Sequence, residues 1–242
     1  MNRGFDEPVF DSLLLAAGSG QRMSEATGGK NKVLLELGGA PLFIHSLRKL
    51  ARFPSLRKIV LVYRSGEEEI IRTCVEKESL GREFEFVEGG RERFESVDRG
   101  LNLLSGDSPD YVLIHDSARP FLTDSMIAAS IREVQKHGAC TVATPLSDTL
   151  KRSDGEMLVE TLPRESLYRI QTPQTFDFKL LLAAHEEFRR NPTPGITDDC
   201  MLLEQKGYRI GLVLGNETNI KVTTPFDLKL AELIYRETLE DK

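Results

Sequence analysis

The feature that most constrains the fold is an apolar run that begins at Leu13 and ends abruptly in the small residues 16–20, two of which are glycines. Such a run is typical of a buried strand that delivers its carboxyl end into a tight turn. Bare backbone amides in such a turn can approach an anion. Because Arg22 and Lys32 add two positive charges nearby, the stretch predicts a pocket for a polyphosphate.

Two common phosphate-binding motifs do not fit this turn. A dinucleotide fingerprint needs a third glycine where this chain has Met23, whose side chain would prevent close packing of helix on strand, and Tyr63 ends the next apolar strand where an acid is expected. A Walker loop fails because no Gly-Lys-Ser/Thr follows at the required spacing. Taken alone, the stretch still allows an ordinary strand-to-helix turn with two solvated cations nearby.

The composition is that of a globular protein, with 40% hydrophobic and 29% charged residues among 242. We expect one domain over 1–242, since one core can serve a chain of this length. The net charge of −6 disfavours sequence-independent nucleic-acid binding, which needs a clustered positive surface. The apolar runs are too short for a membrane helix and the first ten residues lack a signal-peptide pattern, so we expect a cytoplasmic protein without membrane contact.

Apolar runs alternate with helical patterns along most of the chain. We predict strands at 9–15, 58–63, 84–88, 111–115, 140–144 and 208–214, a short extended piece at 33–37, and helices at 41–50, 67–78, 94–104, 125–137, 178–190, 196–206 and 225–239. Continuous apolar strands separated by helices indicate an α/β fold with a mostly parallel sheet covered on both faces. In that architecture ligands lie beyond the carboxyl ends of the strands.

The alternation breaks between residues 146 and 172. Two short extended segments, 149–152 and 157–162, flank Ser153-Asp154-Gly155, which has the chemistry of a hairpin turn. A hairpin arm that leaves a compact domain would be poorly stabilised alone, so we expect this arm to pack on a second copy of the chain. The sequence therefore predicts a homodimer formed through the arm at 146–172.

Polar residues follow several of the predicted strands. The fourth strand is followed by Asp116 and Arg119, the third by the polar stretch 88–93, and Lys221 lies near the last strand. A solvated surface charge explains any one of them more simply. Their common position at one edge of a parallel sheet favours a functional site instead.

Five motifs then occur in order: residues 16–23 with 31–32, then 115–121, 171–174, 196–199 and 219–223. Together they resemble the family of 2-C-methyl-D-erythritol 4-phosphate cytidylyltransferases, which act in the non-mevalonate isoprenoid pathway, and the resemblance spans 10–239. The first motif is shared by many sugar-nucleotide pyrophosphorylases, whereas the set of five is specific to this family.

The resemblance implies a three-layer α/β/α, Rossmann-like nucleotidyltransferase fold and transfer of a cytidylyl group from CTP to the polyol phosphate. Positions matching the family's nucleotide contacts are Ala16, Ala17, Gly18, Gly20, Gly90, Ser96, Ser117 and Arg119. Positions matching its catalytic cations are Arg22, Lys32 and Lys221. Positions matching its polyol-phosphate contacts are Asp116, Thr149, Arg164, Thr172 and Thr197, with Thr149 and Arg164 reaching the site from a neighbouring subunit's arm. We also expect Mg²⁺, held mainly through the CTP phosphates, because it bridges phosphate oxygens and screens the attacking dianion, although no carboxylate cluster in the sequence clearly encloses it.

Three departures from the family pattern stand out. Arg91 occupies a position that is acidic in many members, and Ser117 replaces the more usual alanine. The loop at 28–30 is unusual, so that Lys30 could be mistaken for the functional lysine. We prefer Lys32 because it directly precedes an apolar run.

Three alternatives stay open at this point. One is a cytidylyltransferase for another polyol phosphate, such as ribitol 5-phosphate, with the same nucleotide pocket. Another is a non-catalytic nucleotide-binding regulatory protein, which the intact Arg22, Lys32 and Lys221 disfavour. The third is an NAD-dependent oxidoreductase, which the missing third glycine disfavours.

Overall fold

A large central sheet organises the structure, a computed structural model that describes residues 8–18, 29 and 31–240. Its strands are β1 (Phe10–Leu15), β4 (Leu56–Tyr63), β5 (Glu83–Glu88), β6 (Tyr111–Asp116), β7 (Ala139–Pro145), β10 (Tyr168–Asp177) and β11 (Gly211–Leu214). Two smaller two-stranded sheets pair β2 (Glu36–Leu37) with β3 (Ala40–Pro41) and β8 (Leu150–Ser153) with β9 (Leu158–Leu162). The order in the seven-stranded sheet is β11-β7-β10-β6-β1-β4-β5.

All neighbouring strands of this sheet run parallel except β10, which is antiparallel to both β6 and β7. Its register pairs Gln174 with Ile114. The early residues of β10 therefore lie beside the carboxyl end of β6, where the parallel strands also end. This places Thr172 next to Asp116.

Helices cover both faces of the sheet. They are α1 (Leu42–Arg52), α2 (Glu68–Glu76), α3 (Arg93–Leu104), α4 (Asp124–His137), α5 (Phe178–Arg190), α6 (Asp199–Glu204) and α7 (Pro225–Glu240). Apolar residues of α1, α2 and α4 share one core cluster with Leu14, and those of α3, α5 and α6 share another with Leu13. Because successive side chains of a strand point to opposite faces, these two adjacent leucines serve different layers. The predicted three-layer α/β/α class is confirmed.

Several predicted boundaries were wrong, each for a local reason. Residues 32–34 form a single 3-10 turn instead of an extended piece, since the Asn31 side chain accepts a hydrogen bond from Val33 N. The helix predicted at 196–206 begins only at Asp199, because Asp198 caps it through Met201 N. The last strand begins at Gly211, later than predicted, and β10 was not predicted at all.

The predicted antiparallel hairpin is present, but the segment predicted for the arm, 146–172, extends too far, because its residues from Tyr168 onward belong to β10 of the central sheet. Strands β8 and β9 pair antiparallel, and nearly all of their residues are exposed. At its tip Met157 and Leu158 are each 68% exposed. Within the described ranges, no helix is both long and apolar enough to cross a membrane.

Candidate active site

A cavity of about 340 Å³ opens at the carboxyl edge of the sheet, where ligands of α/β sheets are expected. Its walls come from the turn after β1, the turn between β5 and α3, the end of β6 and the segment before α7. Sequence-predicted residues that line it are Ala17, Gly18, Lys32, Gly90, Ser96, Asp116 and Lys221. Chain segments far apart in sequence therefore converge on one open cavity.

The turn after β1 is joined to the Lys32 segment by Asn31, which is fully buried. Its Nδ2 donates to Ala16 O at 2.8 Å and to Glu67 Oε2 at 2.7 Å, while its Oδ1 accepts from Val33 N at 3.3 Å. Every polar atom of this amide is thus used, as a buried amide requires. These hydrogen bonds hold the backbone on either side of Lys32 close to the end of β1.

The turn between β5 and α3 lies so close to Ala17 and to Glu95 of α3 that neither of its two glycines has room for a side chain. A Cβ on Gly89 would lie 2.3 Å from the Ala17 Cβ, and one on Gly90 would lie 2.2 Å from the Glu95 Cβ. Gly90 N donates to Ser96 Oγ at 3.1 Å. A capping box between Glu92 and Glu95 then starts α3. These contacts hold Gly90 and Ser96 at the wall of the cavity.

Asp116, the last residue of β6, lies between two cations. Lys221 Nζ is 2.6 Å from its Oδ2, and Arg93 Nε is 3.4 Å from its Oδ1. Burial alone would raise the pKa of Asp116, but the charges of Arg93 and Lys221 outweigh burial and hold that pKa well below its ordinary value. The carboxylate is therefore ionised at neutral pH.

A polar layer behind Asp116 supports its backbone. Asp116 N donates to Thr172 Oγ1 at 3.1 Å, and Thr172 Oγ1 lies 3.1 Å from His115 Nδ1. His115 Nε2 donates to Arg119 O at 3.1 Å, so Nδ1 is the acceptor of a neutral ring. Burial lowers the pKa of His115 to about 4, which agrees with that neutral form.

A second cavity of about 910 Å³ adjoins the first. It shares Arg91, Glu92 and Arg93 with the first cavity and is also lined by Thr197 and Asp199. Arg93 Nη1 donates to Asp199 Oδ2 at 2.5 Å, so this arginine forms part of the wall between the two spaces.

Other predicted site residues lie away from the cavity wall. Ala16 and Ser117 are buried beneath it, and Ser117 N donates to Leu15 O at 3.1 Å. The Arg119 guanidinium donates to Asn219 O at 2.8 Å and to Ile170 O at 3.3 Å, which ties the end of β6 to the segment before Lys221.

Two predicted residues belong to the arm region and two cannot be placed. Thr149 and Arg164 are both exposed, and Arg164 Nη1 donates to Ser147 O at 2.5 Å. Gly20 and Arg22 lie outside the described residues. The structure of this chain therefore brings together one part of the predicted set, with Lys32, Asp116 and Lys221 at its centre.

Sequence reasoning assigned no site role to Arg93 or Asn31, although the strand-end stretch 88–93 and the motif at 31–32 contain them. For Arg93 the signal is its position in that stretch, three residues after Gly90, where a strand end passes into a helix. Asn31 directly precedes the nominated Lys32 and could have been found only from its buried hydrogen bonds.

The described residues include no group of three or more His, Cys, Asp or Glu side chains arranged to hold a metal ion. Both carboxylate oxygens of Asp116 already contact cations. Mg²⁺ often binds through one or two carboxylates plus substrate phosphates instead of an all-protein cage. The residues present therefore fit a cation carried by a polyphosphate ligand.

Comparison with known proteins identifies similar chains over nearly the whole length. The family model described as "IspD: 2-C-methyl-D-erythritol 4-phosphate cytidylyltransferase" matches residues 11–237. A curated protein of that name from Bacillus velezensis is 42% identical over 225 residues, covering 93% of this chain and 94% of the relative. One from Halalkalibacterium halodurans is 40% identical over 94% of this chain and 97% of its own length.

Solved structures agree. The crystal structure of 4-diphosphocytidyl-2C-methyl-D-erythritol synthase from Anaerococcus prevotii superposes with a TM-score of 0.83 at 30% identity, covering 95% of this chain and 99% of that one. The 2-C-methyl-D-erythritol 4-phosphate cytidylyltransferase of Thermus thermophilus gives 0.75 at 33% identity, with 95% and 100% coverage.

Proposed function

The chain belongs to the 2-C-methyl-D-erythritol 4-phosphate cytidylyltransferase family, and from that premise we propose how its cavity performs the reaction. The protein is a nucleotidyltransferase that transfers the cytidylyl group of CTP to 2-C-methyl-D-erythritol 4-phosphate. The products are 4-diphosphocytidyl-2-C-methyl-D-erythritol and pyrophosphate. We propose one nucleotidyltransferase domain over 1–242 for this activity.

The observation that carries the site assignment is the convergence of Lys32, Lys221 and the Gly18 turn on one cavity at the carboxyl edge of the sheet. The reaction needs no nucleophile from the protein, because a phosphate oxygen of the polyol phosphate attacks the α-phosphorus of CTP and pyrophosphate leaves. Catalysis is then positioning and charge neutralisation. Lys32 and Lys221 stabilise the negative charge that gathers at the α-phosphate more strongly in the transition state than in the ground state.

The nucleotide would lie between the turns after β1 and β5. Ala17, Gly18, Gly90 and Ser96 face that space, and the small side chains let backbone groups approach a base and ribose closely. We propose that Ala16, Ser117 and Arg119 shape the same pocket from beneath and behind it. Gly20 and Arg22 lie outside the described residues, and we propose for Arg22 the triphosphate contact that the family resemblance implies.

The polyol end of the substrate would lie toward Asp116. Its ionised carboxylate accepts hydrogen bonds from hydroxyl groups, and Thr172 and Thr197 are proposed to complete this end. Thr172 reaches it through the backbone of Asp116, which donates to Thr172 Oγ1. Thr197 lines the adjoining second cavity.

We propose that Mg²⁺ enters with CTP. Bound there it would screen phosphate charge and ease the approach of an anionic nucleophile. The chain's own part is to orient the phosphates with Lys32, Lys221 and the turn amides, while Asp116 remains paired with Arg93. Chelation by EDTA should abolish pyrophosphate release, with activity returning on addition of Mg²⁺.

We also propose a homodimer formed through the arm, with the partner's arm reaching the polyol end of the site through Thr149 and Arg164. The exposed apolar tip residues Met157, Leu158 and Val159 support this proposal, since monomeric proteins rarely expose contiguous apolar surface on a two-stranded arm. Sedimentation of the wild type and of a variant with serine at all three positions tests it. A dimer that persists unchanged in the triple variant would contradict it.

The substrate assignment is tested by pyrophosphate release from each nucleotide with each polyol phosphate. The expected result is turnover with CTP and 2-C-methyl-D-erythritol 4-phosphate, and far less with ribitol 5-phosphate or with other nucleotides. Nucleotide binding without turnover would instead identify a regulatory protein. We propose the cytoplasm as its location, in keeping with three cysteines that are all free thiols.

A further inference from the structure

Arg93, the first residue of α3, contacts two carboxylates from different parts of the fold. Its Nε faces Asp116 Oδ1 at 3.4 Å and its Nη1 donates to Asp199 Oδ2 at 2.5 Å. Asp116 ends a central strand, whereas Asp199 begins α6. The planar guanidinium, with donors on several edges, can hold two such partners at once, which a lysine ammonium at the end of a flexible stem cannot do equally well.

The far partner, Asp199, is itself fixed. His185 of α5 is fully buried and its Nε2 donates to Asp199 Oδ1 at 3.1 Å. Its Nδ1 faces Asp98 Oδ1 at 3.7 Å, and its ring stacks on Phe94 with centroids 4.5 Å apart. Positive and negative groups thus alternate from the first cavity into the layer formed by α3, α5 and α6.

The near partner, Asp116, also pairs with Lys221, which lines the cavity. Lys221 Nζ contacts Asp116 Oδ2, yet Lys221 lines the cavity where the proposed function places the reacting phosphates. A phosphate dianion entering the cavity competes with Asp116 for this single charge. Arg93 lies on the other side of the carboxylate and is already held by Asp199, so it can keep Asp116 paired while Lys221 turns to the phosphate.

We propose that Arg93 is a positioning residue for the polyol end of the substrate. It holds the Asp116 carboxylate ionised and aimed into the cavity, with Asp199 as its anchor, and so releases Lys221 for the phosphates. This inference rests on the proposed function, because it takes Asp116 as the polyol contact. A purely structural role, pinning α3 to α6, would instead lower stability without a selective effect on one substrate.

Steady-state kinetics of pyrophosphate release separates these roles. For Arg93→Gln we expect the KM for the polyol phosphate to rise by roughly tenfold or more, because a charge-assisted contact to Asp116 is lost, while the KM for CTP changes by less than about twofold. Arg93→Lys should recover part of the loss, since one charge remains but only one carboxylate can be held well.

Asp199→Asn decides the case if Arg93→Gln does not fold, because it keeps the shape of the anchor and removes its charge. We expect it to raise the same KM by a smaller factor. Arg48→Gln is the matched control: Arg48 makes a two-point pair with Glu78 away from both cavities, so its loss should leave both KM values unchanged.

Asp116→Asn separates failure of this inference from failure of the proposed function. If Asp116→Asn leaves the KM for the polyol phosphate at the wild-type value, the proposed role of Asp116 fails. If Asp116→Asn raises that KM but Arg93→Gln and Asp199→Asn do not, the positioning role of Arg93 alone is overturned. Equal rises in the KM for CTP and for the polyol phosphate in the Arg93 variants would also overturn it.

Discussion

The two ends of the central sheet each hold a buried charged group among partners of opposite sign, and we propose only the carboxyl end as the active site. At the amino-terminal edge, Lys58 is 5% exposed at its side chain and lies among Glu83, Glu85 and Asp107. Hydrogen bonds that Lys58 donates to Asp107 and then to Glu85 raise the pKa of Lys58 well above its ordinary value. At the carboxyl edge, Asp116 lies among cations instead.

The two clusters differ in whether their charged groups line a cavity. Three carboxylates close around the single Lys58 ammonium, so its donors are used within the protein. Around Asp116, by contrast, Lys221 and Arg93 both line the first cavity, and Gly18 and Gly90 of the two turns lie at the same wall. Perturbed pKa values occur at both ends. A shifted pKa therefore supports the proposal of a functional site here only when it comes together with a cavity lined by charged side chains.

The largest expected difference between the two ends of the sheet is the effect of replacing Lys32 on catalysis. We expect Lys32→Ala to lower kcat by roughly a hundredfold or more, since removing one transition-state donor costs about 3 to 4 kcal/mol. Measurement is by pyrophosphate release at saturating substrates, with thermal unfolding recorded alongside. The midpoint of unfolding should stay near that of the wild type. Rates like those of the wild type would refute the catalytic role of Lys32.

Most of the fold could be predicted because its elements follow hydrophobic periodicity. The helix predicted at 178–190 has the observed bounds of α5. Strand β10 escaped prediction because Thr172, Gln174 and Thr175 are polar yet buried, and the hydrogen bonds that make this possible depend on β6 and β7. Periodicity reports burial of apolar side chains, so it does not reveal a strand of this kind.

The residues of the candidate site likewise fall into those that a local sequence pattern predicts and those that it does not. Asp116 and Lys221 stand in motifs that can be read along the chain, so sequence alone nominated them. The roles of Arg93 depend on contacts with Asp116, 23 residues away, and Asp199, 106 residues away. Which carboxylates an arginine meets at such separations follows from packing. No local pattern encodes it.

For Lys58 we expect the opposite result to that for Lys32: a loss of stability without a loss of activity. We expect Lys58→Met to lower the free energy of unfolding by about 2 kcal/mol, less than for a fully buried ion pair because its partners Glu83 and Asp107 are largely exposed. The remaining carboxylates would repel one another at the amino-terminal edge. Urea denaturation measures the loss, and kcat should match the wild type. A fall in kcat with unchanged stability would mean that this end of the sheet also serves the reaction.

Asn31 tests whether an uncharged buried side chain at the carboxyl edge also affects catalysis. Asn31→Ala removes hydrogen bonds to Ala16, Glu67 and Val33, which position the Lys32 segment. We expect kcat to fall roughly tenfold, on the scale of one net hydrogen bond to a charged group. Asn31→Asp is the control, since it can still accept from Val33 N but can no longer donate. An Asn31→Asp variant as active as the wild type would show that the donated bonds do not matter.

The smallest expected effect concerns the two buried histidines near the carboxyl edge, whose pKa values move in opposite directions. Burial would lower the pKa of His185, but the hydrogen bond to Asp199 on α6 and the nearby carboxylate of Asp98 on α3 raise it above its ordinary value, and Arg93 and Arg189 pair with those same carboxylates. Burial lowers the pKa of His115 to about 4.

These opposite shifts let the contribution of His185 be measured by itself. A raised folded-state pKa contributes stability that is fully present below the unfolded pKa of about 6.5 and is lost as the pH rises through the folded value. His115 contributes the same slope to the wild type and to the His185→Gln variant, so its contribution cancels from the difference between them. We therefore expect the free energy of unfolding to fall more steeply with rising pH above neutrality in the wild type than in His185→Gln. Urea denaturation across that pH range measures both slopes, and identical slopes would mean that His185 is uncharged between its two carboxylates.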